Sequence, residues 1–289
     1  MTVVPEDQTG LTVSIVGVGR LGASLAAALA AAGYAPPLLV GQGRRDSNGA
    51  GRSMVETPPD TLTARCDLIF LTVPDSAIAD VAAAYPWRAG QVVVHSSGAL
   101  GLDALASASA LGASVGCLYP LQTFPARLPP EQASARFRGI VCGIEGSGEA
   151  SNRLEAIAHD LGAHVVRLEG VERAAYHAAA VLAGNDVVAL MIAAARAWAH
   201  AGLPSEGARE ALAPLIRASA DGIAELPLAQ ALTGPVARGD VSTVEQHLHA
   251  LAGDPPLLEL YRRLGLELLT LDLGHEPEVR LALQRALGG

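Results

Sequence analysis

Aromatic residues and charged residues are both scarce in this chain of 289 residues. Phe, Trp and Tyr together make up 3% of the sequence and charged residues 17%, whereas apolar residues make up 50%. Extensive disorder is therefore excluded, since disordered segments are polar or highly charged. The core has to be built from Ala, Leu and Val, whose small side chains allow helices to pack closely.

Cysteine and positive charge are also in short supply. Cys66, Cys117 and Cys142 are scattered, without the spacing of a metal site, so we expect buried free thiols in a reducing cytoplasm and no bound metal. The net charge is −9, and no basic cluster exceeds two adjacent arginines, which excludes a nucleic-acid surface. The first ten residues are polar and acidic, with no signal peptide.

One stretch, residues 174–195, is apolar enough to imitate a membrane span. It contains His177, Asn185 and Asp186, which are costly in lipid, and its uninterrupted apolar run is too short to cross a bilayer. We therefore expect no membrane partner and predict a buried helix of a soluble protein.

The chain is organised around residues 12–22, with the sequence TVSIVGVGRLG. A run of strand type enters the pattern G-x-G-x-x-G, and an Ala-rich helix follows at once. Gly17 would make the tight turn, Gly19 would let the backbone approach a pyrophosphate, and Gly22 would let the helix pack on the strand. The positive end of the helix would then face the phosphates. The predicted cofactor contacts here are Gly17, Val18, Gly19, Arg20, Leu21 and Gly22.

The second predicted strand covers residues 36–40. The residues in the loop that follows it indicate whether a Rossmann domain binds NAD or NADP. An acidic residue here binds the ribose hydroxyls of NAD, whereas an Arg accommodates the 2′-phosphate of NADP. No Asp or Glu occurs between residues 38 and 45, but Arg44 and Arg45 do. The sequence therefore predicts NADP, with Arg44 or Arg45 on its phosphate. The alternative is a solvated pair of loop charges.

Strand runs alternate with helices as far as residue 168, and these runs are apolar throughout. This pattern indicates a parallel or mostly parallel sheet that is covered on both faces. Ligands bind outside the carboxyl ends of such strands. At those ends we predict Val73, Pro74 and Asp75 for the cofactor, and Ser96, Ser97 and Gln122 for the substrate. The alternative for the last three is turn and cap bonding.

No strand signal remains after residue 168, and every later segment has helical period. We predict an α/β Rossmann domain over residues 1–169, followed by an all-α domain over residues 170–289. The Ala- and Leu-rich helices of the second domain are more apolar than one small bundle requires. They predict a homodimer formed through the helical domain.

Three stretches resemble a bacterial family of Rossmann-like oxidoreductases whose C-terminal domain has no known function. They are residues 119–124, 176–185 and 231–240, with the sequences YPLQTF, YHAAAVLAGN and ALTGPVARGD. The order of the domains also resembles the β-hydroxyacid dehydrogenase superfamily, which includes ketopantoate reductase and pyrroline-5-carboxylate reductase. The resemblance covers nearly the whole chain and implies an NADP-dependent dehydrogenase fold, usually dimeric.

In that superfamily a Lys on the long helix, followed by an Asn, commonly assists hydride transfer. The long helix here has no Lys; His177 occupies the expected position, and Asn185 follows two turns later on the same side. Imidazole can act as an acid near neutral pH. We predict that His177 donates a proton or hydrogen bond to the substrate and that Asn185 orients it. The alternative is that both are structural and bond the backbone or each other.

Thr233 and Arg238 flank a Gly-Pro turn in the helical domain. We predict that they contact the substrate, with the Arg238 fork on a carboxylate. The alternative is an ion pair of Arg238 with Asp240 or Glu245.

These predictions combine into an NADP(H)-dependent oxidoreductase that acts on a small carbonyl or imine compound bearing a carboxylate. Ketopantoate-like 2-oxo acids and cyclic imines are candidates by analogy. The missing Lys leaves open a second hypothesis, a non-catalytic sensor or scaffold that binds NADP(H). A prephenate-type dehydrogenase fits the helix motif less well.

Overall fold

The computed structural model describes residues 10–41, 64–125 and 128–289, and the chain divides into two compact units, Met1–Gly184 and Asn185–Gly289. Within the described part of the first unit, seven strands form one sheet of order β2-β1-β3-β4-β5-β6-β7. All neighbours are parallel except the antiparallel pair β5 and β6. The strands are β1 (Val13–Val16), β2 (Leu38–Val40), β3 (Leu68–Leu71), β4 (Val92–His95), β5 (Ser114–Pro120), β6 (Val141–Gly146) and β7 (His164–Arg167).

Helices cover both faces of this sheet, as the apolar strand runs predict. All residues of β1, β3 and β4 are buried, and their side chains alternate between two separate cores because successive strand residues point to opposite faces. One core includes Ile15 and Phe70, and the other includes Val16 and Ile69. The helices in the described part of this unit are α1 (Arg20–Ala31), α2 (Ile78–Ala83), α3 (Ala106–Ala110), α4 (Pro130–Ala135), α5 (Ala150–Asp160) and the first turns of α6 (Arg173–His200).

The topology fixes where a ligand can bind. The chain runs from β1 outward to β2 and then returns to the other side of β1 as β3. This reversal leaves a crevice between the carboxyl ends of β1 and β3, which is the position where open α/β sheets bind their ligands.

The second unit is helical, in agreement with the change of pattern in the sequence. Its core is formed by Val236, Val244, Leu269, Leu283 and Leu287. After the end of α6, the helices are α7 (Ala208–Glu225), α8 (Leu228–Ala231), α9 (Pro235–Arg238), α10 (Val241–Ala250), α11 (Pro255–Leu268) and α12 (Pro277–Ala286).

Helix α6 belongs to both units. The predicted boundary after residue 169 lies where the strands stop, whereas the division by contacts falls at Gly184. The first turns of α6 group with the sheet because Arg173 and His177 contact the loops at the strand ends.

The surface of α6 is apolar, which differs from the expectation of a buried helix. Ala193 is its one buried residue, and Leu182, Val188 and Ile192 are exposed, because no described part of this chain covers that face. The length and composition of α6 are sufficient for a helix that crosses a membrane. Core helices of soluble proteins also meet these two criteria.

Candidate functional site

The turn after β1 is built on glycine because side chains there would collide. Gly17 has φ +98°, and a Cβ on it would lie 2.8 Å from Val73 Cγ1 and 2.9 Å from the Thr72 carbonyl carbon. A Cβ on Gly22 would overlap Gly17 O and come within 2.6 Å of Thr72 Oγ1. These two glycines therefore allow β1, α1 and the end of β3 to approach one another.

Gly19 is different, because beyond its immediate neighbours along the chain no described atom lies within 4 Å of the position that its Cβ would take. It is the N-cap of α1, no side chain bonds the helix end, and the first turn has no acidic residue. Gly19 and Arg20 are exposed. The start of α1 therefore presents backbone N–H groups and the positive end of the helix dipole to open space, which suits a phosphate.

The end of β3 meets the glycine turn directly. Thr72 Oγ1 donates to Gly17 O at 2.5 Å, and Thr72 N donates to Val16 O at 2.8 Å. The next residues, Val73, Pro74 and Asp75, lie half-buried or exposed at the same edge of the sheet. The predicted cofactor residues of β1 and β3 are thus brought together; Arg44 and Arg45 lie outside the described residues.

Two adjacent serines at the end of β4 have opposite environments. Ser97 Oγ donates to Asp75 at 2.7 Å and accepts from the N–H groups of Ala99 and Leu100, both at 3.1 Å. Its hydroxyl is therefore occupied in closing the loop. Ser96 Oγ is buried and has no hydrogen-bond partner among the described residues, so its hydroxyl takes no part in closing the loop.

His95 holds the same loop and is neutral. Its side chain is fully buried, and burial together with the nearby Arg173 lowers its pKa to about 4. Nδ1 accepts from the Ser97 N–H, so the proton is on Nε2, which donates to Gly101 O. His95 is therefore a structural residue.

Arg173 joins the start of α6 to this loop. Its Nη2 donates to Leu100 O at 2.6 Å and to Cys117 Sγ at 2.9 Å, and Nη1 lies 3.8 Å from Glu145 Oε2. Because the guanidinium binds carbonyl oxygens, it fixes the backbone of the loop.

His177, one turn further along α6, lies at the ends of β4 and β5. Its Nδ1 is 3.3 Å from Tyr119 Oη, and a Cβ on Gly98 would come within 2.6 Å of that nitrogen. The loop after β4, the end of β5 and the imidazole are therefore in contact. The predicted acid thus lies against the loop that carries the predicted substrate residue Ser96.

The remaining predicted residues are more dispersed. Gln122 is exposed at the end of β5 and lines an open cavity of about 390 Å³ together with Arg136 and Arg138. In the second unit, Asn185, Thr233 and Arg238 are half-buried or exposed. Within the described residues, no ion pair joins Arg238 to Asp240, whose carboxylate instead caps α10 by accepting from Thr243 N. Gly184 allows a close approach, since its Cβ would lie 3.3 Å from Thr123 Cγ2.

Sequence reasoning missed four residues of this site: Thr72, Gly98, Tyr119 and Arg173. Tyr119 and Gly98 lie at the ends of predicted strands, and this position is the sequence feature that could have identified them as site residues. Thr72 and Arg173 form hydrogen bonds with residues distant in sequence, so no local sequence pattern indicates that they belong to the site.

All three cysteines are free and buried, as expected. In residues 10–41, 64–125 and 128–289, no group of three or more His, Cys, Asp or Glu side chains could hold a metal ion.

Comparisons with known proteins divide the chain in the same way. A family model described as a Rossmann-like domain matches residues 4–122, and one described as a domain of unknown function, DUF2520, matches residues 140–268. No curated protein matches the sequence significantly.

Solved structures of similar fold span nearly the whole chain. A Bacteroides fragilis protein provisionally described as an NADP oxidoreductase is 26% identical, with TM-score 0.69 over 89% of this chain and 97% of its own. Streptococcus pyogenes 1-pyrroline-5-carboxylate reductase is 16% identical, with TM-score 0.59 over 90% and 99%. A reductive aminase from Aspergillus terreus, solved with NADPH, is 17% identical, with TM-score 0.57 over 96% and 92%. The last two show likeness of fold alone.

Proposed function

We propose that this chain, in which a Rossmann-like domain precedes a DUF2520 domain, transfers a hydride between NADP(H) and a small carbonyl or imine compound. The observation that carries the proposal is the open space at Gly19, where a helix N-terminus without a side-chain cap is exposed at the switch point of the sheet. NADP is the cofactor, and its pyrophosphate binds residues 17–22.

The nicotinamide half extends from this turn across the ends of β3 and β4. Neighbouring strands are about 4.8 Å apart, so Val73, Pro74 and Asp75 lie next along the edge, and Ser96 follows. Arg44 or Arg45 binds the 2′-phosphate; this is a prediction from the sequence, since both residues lie outside the described part of the chain. NADPH and three free thiols both fit a reducing compartment such as the cytoplasm.

The substrate binds at the end of β4, facing His177. Hydride transfer to a carbonyl carbon leaves a developing negative charge on oxygen, which needs a hydrogen-bond or proton donor. His177 supplies this donor, and Ser96 Oγ offers a second hydrogen bond. Asn185 lies two turns beyond His177, about 12 Å along the helix. That Asn185 orients the substrate, and that Gln122, Thr233 and Arg238 contact its polar groups, with Arg238 on a carboxylate, stay predictions from the sequence.

Turnover measurements on a compound panel test this proposal. The purified chain should bind NADPH saturably and oxidise it with at least one member of a panel of 2-oxo acids, ketones and cyclic imines. Saturable NADPH binding without turnover across the panel would instead support the sensor or scaffold. Absence of saturable binding of either nicotinamide cofactor would overturn both.

The two serines at the end of β4 give a matched pair of variants. Ser96→Ala should raise KM or lower kcat for the substrate about tenfold, because it removes a free hydroxyl, and should leave the thermal midpoint unchanged. Ser97→Ala should lower the free energy of unfolding by about 1–3 kcal/mol, since it leaves Asp75 and two N–H groups without a partner. Kinetics and thermal unfolding check both variants; if the two effects were exchanged between the serines, these roles would be wrong.

We also propose a homodimer formed through the exposed apolar faces of α6 and α7. Val188 and Ile192 are 63% and 60% exposed and lie one turn apart on α6, and Leu215 of α7 is 64% exposed. Light scattering at micromolar concentration should give twice the chain mass of 29.5 kDa. The double variant Val188→Asp and Ile192→Asp should be a monomer, whereas Leu111→Asp, at a leucine 53% exposed in the first unit, should remain a dimer. A wild-type chain that is monomeric in this measurement would contradict the proposed homodimer.

A further inference from the structure

Tyr119 and His177 form a hydrogen-bonded pair at the proposed substrate site. Tyr119 Oη lies 3.3 Å from His177 Nδ1, and the two ring centroids are 5.8 Å apart in an edge-on arrangement. Tyr119 is on β5 and His177 is near the start of α6, so both rings stand on regular elements of the fold.

The backbone after β4 holds this pair in place. A Cβ on Gly98 would lie 2.6 Å from His177 Nδ1 and 2.8 Å from Tyr119 Cζ, so only glycine allows the loop to lie against both rings. Tyr176 packs edge-on against Tyr119 from another side, with centroids 5.9 Å apart. These contacts hold the Tyr119 ring in place, so its hydroxyl stays directed at His177.

The direction of the hydrogen bond follows from what each group can do. Burial raises the pKa of Tyr119, so its phenol keeps the proton. Among the described residues, His177 Nδ1 is the one hydrogen-bond partner of this hydroxyl. Because a half-buried donor without an acceptor is costly, the contact favours the arrangement in which Tyr119 O–H donates and Nδ1 accepts. In the neutral imidazole the proton is then on Nε2.

We propose that Tyr119 is a positioning residue that fixes this tautomer, so that His177 meets the substrate as an Nε2–H donor. The proposal rests on the function proposed above and narrows its substrate class. A neutral donor matches an acceptor lone pair, as on a ketone or aldehyde oxygen or a neutral imine nitrogen. It gives nothing to a cationic iminium nitrogen, which has no lone pair. Carbonyl compounds and neutral imines are therefore preferred over iminium ions as substrates.

Nitrogen NMR of the full-length chain, with its histidines labelled, tests the tautomer without any substrate. We expect the signal that disappears in His177→Gln to show a protonated Nε2 and an unprotonated Nδ1 at pH 8. Tyr119→Phe should convert this signal to a mixture of tautomers. Tyr176→Phe is the matched control, because the Tyr176 hydroxyl is buried without a partner among the described residues and its loss should leave the signal unchanged. A protonated Nδ1 in the wild type, or no change in Tyr119→Phe, overturns the proposal.

Kinetics give a second readout. Tyr119→Phe should lower kcat about tenfold, with the KM for NADPH unchanged, whereas Tyr176→Phe should keep the wild-type kcat. The wild type should reduce a ketone with at least about tenfold higher kcat/KM than the N-methyl iminium ion of the same skeleton. The opposite preference overturns the substrate class. If no compound is turned over while the tautomer responds to Tyr119→Phe, the proposed function fails and the positioning of His177 stands.

Discussion

Replacing His177 with alanine is expected to lower kcat by about a hundredfold to a thousandfold, the range lost with one hydrogen-bond donor to a developing oxyanion. NADPH affinity should stay unchanged, since His177 lies at the ends of β4 and β5 and not at the glycine turn. Steady-state kinetics on an active carbonyl compound, together with an NADPH titration, measure the two effects separately.

The loss of activity in His177→Ala is expected to be large because the chain has no lysine that could replace the imidazole. The sequence contains no lysine at all, so all of its 20 Lys and Arg positions are arginines. An Arg guanidinium can replace a hydrogen-bond donor only where its N–H groups are free to reach the substrate. Arg173, one turn before His177 on α6, is already bonded to Leu100 O and Cys117 Sγ. This arginine therefore cannot take over the role of the imidazole.

A matched control is available in the second unit. His249 is exposed on α10, a helix that carries none of the predicted site residues, so His249→Ala should retain wild-type kinetics. Unchanged turnover in His177→Ala would remove the imidazole from the mechanism and leave Ser96 and bound water as the donors.

Alanine at Gly19 is expected to weaken NADPH binding about a hundredfold, or ~2.7 kcal/mol, without changing the stability of the free protein. The new methyl group would have no described protein atom within 4 Å, so the fold accommodates it. It would occupy the space in which the pyrophosphate meets the backbone, so the cofactor loses its close approach. Calorimetric titration and thermal unfolding provide the two measurements.

Two other glycines show whether this effect is specific. Gly253→Ala should change neither quantity, because Gly253 also has open space at its Cβ and lies in the second unit. Gly22→Ala should lower stability as well as binding, since its Cβ would overlap Gly17 O. Wild-type affinity in Gly19→Ala would place the pyrophosphate elsewhere.

The arrangement of the sheet could be predicted because it depends on local patterns. Apolar runs such as those of β3 and β4 indicate strands buried on both faces, and the spacing of Gly17, Gly19 and Gly22 indicates a tight turn into a helix. The long helix α6 was also predicted, but its exposed surface was not. The sequence pattern identifies an apolar helix. Whether that helix is buried depends on which other elements pack against it in the folded chain.

By itself, the sequence determined the fold class, the glycine turn and the identity of the candidate acid, because each depends on residues close together in the chain. Only the tertiary structure decided which polar groups are free. Ser96 and Ser97 are neighbours of the same type, yet among the described residues one hydroxyl is unpartnered and the other binds Asp75 on the adjacent strand end. Tyr119 reaches His177 because β5 and the start of α6 meet at the edge of the sheet. Such contacts join residues far apart in the chain, and no local periodicity encodes them.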